Sequence, residues 1–151
     1  MKKLSLVLFY LSLLLLLVSC GADRYFKRGE KFLALGEYYD AASAYRMAYQ
    51  KTQSKERERR GKIAKKMAYC YAKSLQTAKA IAAYRNVERY HQDDIADLLS
   101  LASQLMKTGS YREAAAVYKE VLDSVPGNPL AAEGLKAANE APKIKDLGSR
   151  Y

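Results

Sequence analysis

The sequence predicts an all-α fold: an α-solenoid of three helix pairs and a C-terminal capping helix, preceded by a cleaved lipoprotein signal peptide. Three observations support this prediction. Apolar residues recur at three- and four-residue spacing from residue 22 onward, which is typical of amphipathic helices. No proline occurs before Pro126, and runs of β-branched residues are absent from the same region. A pattern of glycine, tyrosine and alanine returns along the chain, which indicates stacked repeats.

The composition limits the chain to one globular domain. Of its 151 residues, 50% are hydrophobic and 28% are charged, the balance of a folded protein. Two cysteines and one histidine are too few for a disulfide-rich scaffold or a conventional four-ligand zinc site. The formal net charge is +10, and from residue 20 onward 24 Lys and Arg stand against 16 Asp and Glu, or +8. This excess indicates an acidic partner, an anionic surface or a larger assembly.

The first nineteen residues have the features of a secretory signal. Lys2 and Lys3 precede an apolar run from Leu4 to Val18, which fits a signal-peptide core better than a membrane span. The following Leu17-Val18-Ser19-Cys20 resembles the bacterial lipobox. This resemblance implies cleavage after residue 19 and acylation of Cys20, for example with palmitate, with 20–21 as anchor and spacer. The alternative is an uncleaved N-terminal anchor.

The predicted anchor places the domain outside the cytoplasm. Residues 21–23 are Gly, Ala and Asp, so no acidic residue directly follows Cys20. In the enteric sorting scheme, this absence resembles an outer-membrane signal. We therefore expect a lipid-anchored protein of the outer membrane that faces the periplasm.

The repeat pattern begins with a glycine and a tyrosine and continues with an alanine and a second tyrosine. The first copy has Gly36, Tyr38, Ala41 and Tyr45, the last has Gly109, Tyr111, Ala114 and Tyr118, and a weaker middle copy has Ala80 and Tyr84. The glycines allow the left-handed conformation that ends a helix, and the alanines allow helices to cross closely. One helix pair cannot bury its own apolar face, so three stacked pairs form the core.

The pattern resembles the tetratricopeptide repeat (TPR), whose period is 34 residues. The middle alanines lie 39 and 34 residues apart, and the resemblance covers roughly residues 22–141. It assigns packing roles to the eleven residues Gly36, Tyr38, Ala41, Tyr45, Ala80, Tyr84, Gly109, Tyr111, Ala114, Tyr118 and Pro126. The resulting layout has helices over about 22–35, 38–53, 57–74, 77–90, 93–107, 111–124 and 129–140. Asn128 and Pro129 start the last helix, and 142–151 form a linker or tail.

The TPR resemblance also implies a concave groove lined by the first helix of each pair. The corresponding positions are Phe26, Glu30, Leu33, Lys62, Lys65, Tyr69, Lys73, Leu99, Ser103, Met106 and Lys107. This groove is expected to be basic in the middle and apolar at one end. Some TPR domains clamp a C-terminal carboxylate with a lysine and an asparagine. Here Lys65 is available, but Tyr69 occupies the position of that asparagine, which argues against such a clamp.

No residue cluster predicts catalysis, and we expect neither a cofactor nor a metal. His91, Asp93 and Asp94 are the one group that hints at a triad or metal site, and the favoured interpretation is a helix start. Cys70 lies in a helical run and is interpreted as a small buried apolar residue rather than a reactive thiol.

A basic run lies between residues 51 and 66 and is interrupted by Glu56 and Glu58. The favoured interpretation is a solvated helix face with local ion pairs. The alternative is a site for an acidic protein, lipid headgroups or cell-wall polymer. Nucleic acid is not expected, because the predicted location is outside the cytoplasm.

The order of lipobox, short spacer, three repeats and basic tail resembles the N-terminal part of OmpA-family lipoproteins of Bacteroidota. Among these, the PorE-like components of the type IX secretion system are the most similar in architecture. The resemblance implies a scaffold that binds other envelope proteins through its groove, with peptidoglycan contacted indirectly or through a domain not present in this chain. The alternative function is a cell-envelope or peptidoglycan assembly factor that recruits an enzyme or cell-wall polymer.

Overall fold

The computed structural model of the chain describes residues 21–148. Within this range it contains seven α-helices and no strand. They are α1 over 21–34, α2 Tyr38–Lys51, α3 Arg57–Lys73, α4 Thr77–Arg89, α5 Ile95–Lys107, α6 Tyr111–Ser124 and α7 Pro129–Gly148. The predicted all-α class and paired-helix architecture are confirmed. The predicted signal peptide over 1–19 and the predicted lipidation site Cys20 lie outside the described residues.

Neighbouring helices pack against each other in chain order, so the core is continuous along the stack. The alanines at the predicted crossing points, Ala41, Ala80 and Ala114, are fully buried. The tyrosines one helical turn later are also buried, the first against Gly29 of α1 and the last against Gly134 of α7. They are Tyr45, Tyr84 and Tyr118. Tyr38 and Tyr111 are partly exposed, and Pro126 is exposed in the turn before α7.

The turns within the three pairs share one geometry but not one residue type. Gly36 and Gly109 have φ angles of +74° and +76°, in the left-handed region that glycine adopts without steric cost. The second pair lacks this glycine, and Leu75 adopts a φ of +59° at the same place. Leu75 is 81% exposed, so its side chain contributes little packing to offset the strain.

The last helix begins as predicted. The Asn128 side chain accepts a hydrogen bond from the Ala131 N–H at 3.0 Å, and the helix starts at Pro129. It then continues to Gly148, eight residues beyond the predicted end at 140. The repeat pattern stops at Ala141, and a linker was therefore predicted from residue 142 onward. The helix instead passes through Pro142, so the segment is helical as far as Gly148.

None of the helices within 21–148 is both long enough and apolar enough to cross a membrane.

Candidate protein-binding groove

A groove with a volume of about 400 Å³ lies between α3 and α5. Its lining residues are Tyr69, Ala72, Lys73, Tyr84, Leu99, Ser100, Ser103, Gln104 and Lys107. Five of these were predicted groove residues: Tyr69, Lys73, Leu99, Ser103 and Lys107. The structure therefore brings together the part of the predicted set that lies on the second half of α3 and on α5. This surface is called the α3–α5 groove below.

The mouth of the α3–α5 groove carries aromatic and positively charged groups. Tyr69 is 43% exposed, and its ring contacts that of Tyr38 edge-on, with 6.1 Å between the ring centroids. The Lys73 ammonium lies 5.6 Å from the centroid of the Tyr69 ring, in a cation–π contact. Lys73 and Lys107 are exposed, and neither has an acidic partner within 4.0 Å among the described residues. Their charges are therefore available to an anionic ligand.

The inner wall of the groove contains a buried acceptor without a partner. Gln104 is 5% exposed, and its Oε1 accepts no hydrogen bond within the described part of the chain. An unpaired buried acceptor of this kind typically costs about 1–3 kcal/mol of stability. The atom is shielded from solvent, so a ligand that donates an N–H or O–H to Gln104 would recover this cost only if the groove wall moves aside.

Sequence reasoning did not identify Gln104. The residue lies on α5 next to the buried positions Leu101 and Leu105, so the sequence places a polar side chain on the core-facing side of an amphipathic helix. This polar residue at a core-facing position was the only feature of the sequence that could have marked Gln104 as a candidate site residue. Whether the amide finds a partner in the core could be decided only from the packed structure.

The remaining walls are apolar or neutral. Burial raises the pKa of the Tyr84 phenol, and its hydroxyl therefore remains protonated at neutral pH. Leu99 is partly exposed and packs against the core, which gives the groove an apolar side. A ligand in this groove thus meets a hydrophobic wall, a buried acceptor and two cationic side chains at the mouth.

The predicted groove residues on α1 are used in internal packing. Phe26 packs against Tyr45 at 5.6 Å between ring centroids, and Leu33 packs against the core. Glu30 accepts hydrogen bonds from the Tyr45 hydroxyl and from the Lys66 ammonium, the latter at 2.8 Å. Burial tends to raise the pKa of Glu30, but these two donors lower it overall. This end of the predicted groove joins α1, α2 and α3.

The predicted basic centre of the groove is locally neutralised. Lys65 pairs with Asp94 at 2.6 Å and with Asp97 at 2.8 Å, while Lys62 pairs with Glu58 at 2.6 Å. Lys65 is therefore engaged within the chain, which further weakens the case for a carboxylate clamp. Of the remaining predicted residues, Met106 is partly buried and packs against the core.

The rest of the basic run has similar internal roles. Arg59 pairs with Asp23 and Glu56, and Arg60 lies 4.2 Å from the centroid of the Tyr49 ring. The Arg60 guanidinium also donates to the Tyr90 hydroxyl and to the Thr52 carbonyl, both at 3.0 Å. These contacts favour the interpretation of residues 51–66 as a face with local pairs that ties the loop after α2 to the end of α4.

His91, Asp93 and Asp94 follow α4 and lie at the start of α5, in agreement with the favoured interpretation of this cluster. Asp94 is the N-cap of α5: its carboxylate accepts from the Asp97 N–H at 2.9 Å, and the Asp97 carboxylate accepts from the Asp94 N–H at 3.2 Å. His91 takes a left-handed φ of +54° in the preceding turn. Among the described residues, no group of three His, Cys, Asp or Glu side chains could hold a metal ion.

Cys70 is a fully buried thiol on α3. Burial raises the pKa of Cys70 to about 11, so the thiolate is scarce at neutral pH. The interpretation as a small buried apolar residue agrees with this environment.

Comparison with solved structures shows the fold. An Arabidopsis OM64 TPR domain matches with a TM-score of 0.63 and 14% identity, over 82% of this chain and 98% of that chain. The first TPR domain of Spaghetti (RPAP3), bound to the HSP90 peptide SRMEEVD, matches with a TM-score of 0.65 and 18% identity, over 83% and 95%. The C-terminal TPR-containing domain of a Plasmodium falciparum FK506-binding protein matches with a TM-score of 0.66 and 19% identity, over 87% and 93%.

The chain therefore has the fold of a TPR domain, as its repeat pattern predicted. Domains of this fold generally mediate protein–protein interaction and are typically not enzymes. No protein-family model matches the sequence, and no curated protein matches it significantly.

Proposed function

We propose that this chain is a membrane-anchored, periplasm-facing scaffold that binds an acidic segment of another envelope protein in the α3–α5 groove. The observation that carries the proposal is the α3–α5 groove whose mouth holds the exposed Lys73 and Lys107, with the buried Gln104 Oε1 behind its wall. A polypeptide supplies the matching groups: a backbone N–H for the buried acceptor and carboxylates for the two ammonium groups.

The proposed location and assembly rest on the sequence. The lipobox-like segment before Cys20 supports a lipid anchor, and the resemblance to OmpA-family lipoproteins favours the type IX secretion system as the assembly. The second candidate is a cell-envelope or peptidoglycan assembly factor. The net positive charge favours it to the extent that cell-wall polymers are anionic. In both cases the groove is the surface through which the partner is held.

The test combines crosslinking in intact cells with charge reversal in the groove. A tagged copy is crosslinked, the envelope is solubilised, and co-purifying proteins are identified by mass spectrometry. The test variant is Lys73→Glu with Lys107→Glu. The control is Lys62→Glu, since Lys62 is another exposed lysine of α3 and pairs with Glu58 outside the groove.

We expect secretion-system membrane proteins to be recovered with the unaltered chain and with the control. The double variant should lose them. If the same proteins are recovered with all three, the groove is not the binding surface. Recovery of cell-wall enzymes or muropeptides would instead favour the second candidate. Fractionation of a Cys20→Ala variant tests the anchor separately: full membrane retention of that variant would remove the lipoprotein part of the proposal.

A further inference from the structure

The outer side of α1 carries four basic residues on one helical face. They are Arg24, Lys27, Arg28 and Lys31, at positions i, i+3, i+4 and i+7. All four are exposed, and none has an acidic partner within 4.0 Å among the described residues. Of the two acids of the same helix, Glu30 pairs with Lys66, while Asp23 borders the four cations and pairs with Arg59. We call these four residues the α1 basic face.

The position of this face in the stack explains why it is polar. With a shift of 39 residues, the spacing of the first two repeat alanines, three of its positions correspond to Ile63, Met67 and Cys70 of α3. Those three are buried, because α3 has a preceding helix pair to pack against. Within the described residues α1 has no such neighbour, and a terminal repeat needs a polar outer face.

The position of α1 at the end of the stack explains why this face is polar. It does not explain why its four unpaired charges are all positive. Arg24 and Arg28 are four residues apart, as are Lys27 and Lys31, and like charges at this spacing destabilise a helix. Mixed charges would keep the face soluble without that repulsion. A surface of four unpaired cations, bordered by one acid that is already paired with Arg59, therefore matches an anionic surface that offsets the repulsion on contact.

We infer that the α1 basic face lies on the anionic lipid headgroups of the membrane that holds the Cys20 anchor; the inference rests on the proposed lipidation. The described part of α1 begins at residue 21, next to the predicted acylated cysteine. At a helical rise of about 1.5 Å per residue, Arg24 and Lys31 lie about 5 Å and 15 Å along the axis from residue 21, where the described helix begins. A helix lying along the surface brings all four cations to headgroup level.

An exposed leucine extends the same contact. Leu35 follows Lys31 by one turn, is 71% exposed, and its N–H bonds the Lys31 carbonyl at 3.2 Å. Cationic residues beside an exposed apolar side chain are the combination found on helices that lie in a membrane interface. The face thus orients the domain, with α1 on the lipid and the α3–α5 groove farther along the stack.

The test uses the mature chain as purified from the membranes of the cells that make it, mixed with vesicles of phosphatidylcholine alone or of equal parts phosphatidylcholine and phosphatidylglycerol. Lysine acetylation is followed by mass spectrometry at Lys27 and Lys31, with the exposed Lys119 of α6 as internal reference. Labelling of Lys27 and Lys31 should slow by about fivefold or more on the anionic vesicles, since one basic residue near such a surface gains about that factor in binding. High salt should abolish the protection.

A variant with two neutral residues distinguishes contact through the α1 basic face from a general attraction of the basic chain to anionic vesicles. Arg24→Gln with Arg28→Gln keeps both reporter lysines and should lose most of their protection, whereas the control Arg112→Gln on α6 should keep it. Equal labelling on both kinds of vesicle would overturn the inference and leave the face as a polar end of the stack. If the chain floats with neither vesicle, the anchor itself is absent, and both this inference and the anchored part of the proposed function fail.

Discussion

The first helices of the second and third pairs, α3 and α5, use the same three positions in different ways. In α3 these positions hold Ile63, Met67 and Cys70, which are all buried and apolar. In α5, 34 residues later, they hold Asp97, Leu101 and Gln104. Asp97 reaches Lys65 at 2.8 Å, while Gln104 remains unpartnered among the described residues. The contact of α3 with the preceding pair is thus apolar at these positions and is called the sealed junction, although Met67 also borders a groove between α2 and α4. The contact before α5 contains polar groups beside the α3–α5 groove and is called the open junction.

The difference between the two junctions indicates which part of a repeat stack is suited to bind a partner. A sealed junction gains stability from each buried apolar atom. A junction with a buried polar atom lacks part of this stabilisation. Such local exceptions to apolar core packing are expected at functional sites. Exchanging residues between the two junctions tests this interpretation, beginning with the largest effect.

Cys70→Gln places the α5 residue in the sealed junction. The larger amide must displace packed neighbours and lacks a polar partner in the α3 core, so we expect a loss of about 3 kcal/mol or more in the free energy of unfolding. Urea denaturation followed by circular dichroism measures it. Cys70→Ala is the matched control and should lose about 1 kcal/mol or less, because a small residue remains. Similar midpoints for the two variants would show that the junction is not tightly packed.

The sequence predicted the sealed junction better than the open one. The repeat alanines, the turn glycines and the apolar stripes predicted the helix pairs, because each acts through a local steric or periodic rule. The engagement of Lys65 depends on two carboxylates 29 and 32 residues away in sequence, which the start of α5 brings to it only after folding. Charge alone therefore predicted a basic groove centre, which the ion pairs of Lys65 neutralise.

Gln104→Leu makes the α5 position apolar, as its counterpart in α3 is, and should stabilise the chain. Leucine has a similar volume and no polar atom to leave unpaired, so we expect a gain of about 1–2 kcal/mol in the absence of a partner. The same variant should recover less of the crosslinked partner than the unaltered chain. Loss of stability in this variant would show that the amide has a structural role and would weaken the assignment of the groove.

The comparison extends to the turns of the pairs. Leu75→Gly should add about 1 kcal/mol, because glycine accepts the left-handed φ of +59° that strains leucine. The control Leu35→Gly removes an equally exposed leucine that has no positive φ and should lose stability instead. Thermal unfolding of both variants decides the point: a lower melting temperature for Leu75→Gly would mean that the leucine side chain contributes packing that outweighs the strain.

The smallest effect concerns thiol chemistry at the two junctions. With the pKa of Cys70 raised by burial to about 11, its folded-state thiol holds a proton that the unfolded thiol releases near pH 9. The stability that this group contributes is therefore present below pH 9 and is lost as the pH rises towards 11. At pH 8 the folded chain should react with iodoacetamide at Cys70 far more slowly than the urea-unfolded chain does.

A thiol placed in the open junction allows its reactivity to be compared directly with that of Cys70 in the sealed junction. In a Cys20→Ser, Cys70→Ala background, Gln104→Cys places one thiol in the α3–α5 groove, beside Lys73 and Lys107. Nearby ammonium groups favour the thiolate and so raise reactivity. We expect this thiol to react faster at pH 8 than Cys70 does in a Cys20→Ser chain. Equal protection of the two would mean that the groove is closed to solutes in the free chain, and a partner could then reach Gln104 only after α3 and α5 separate.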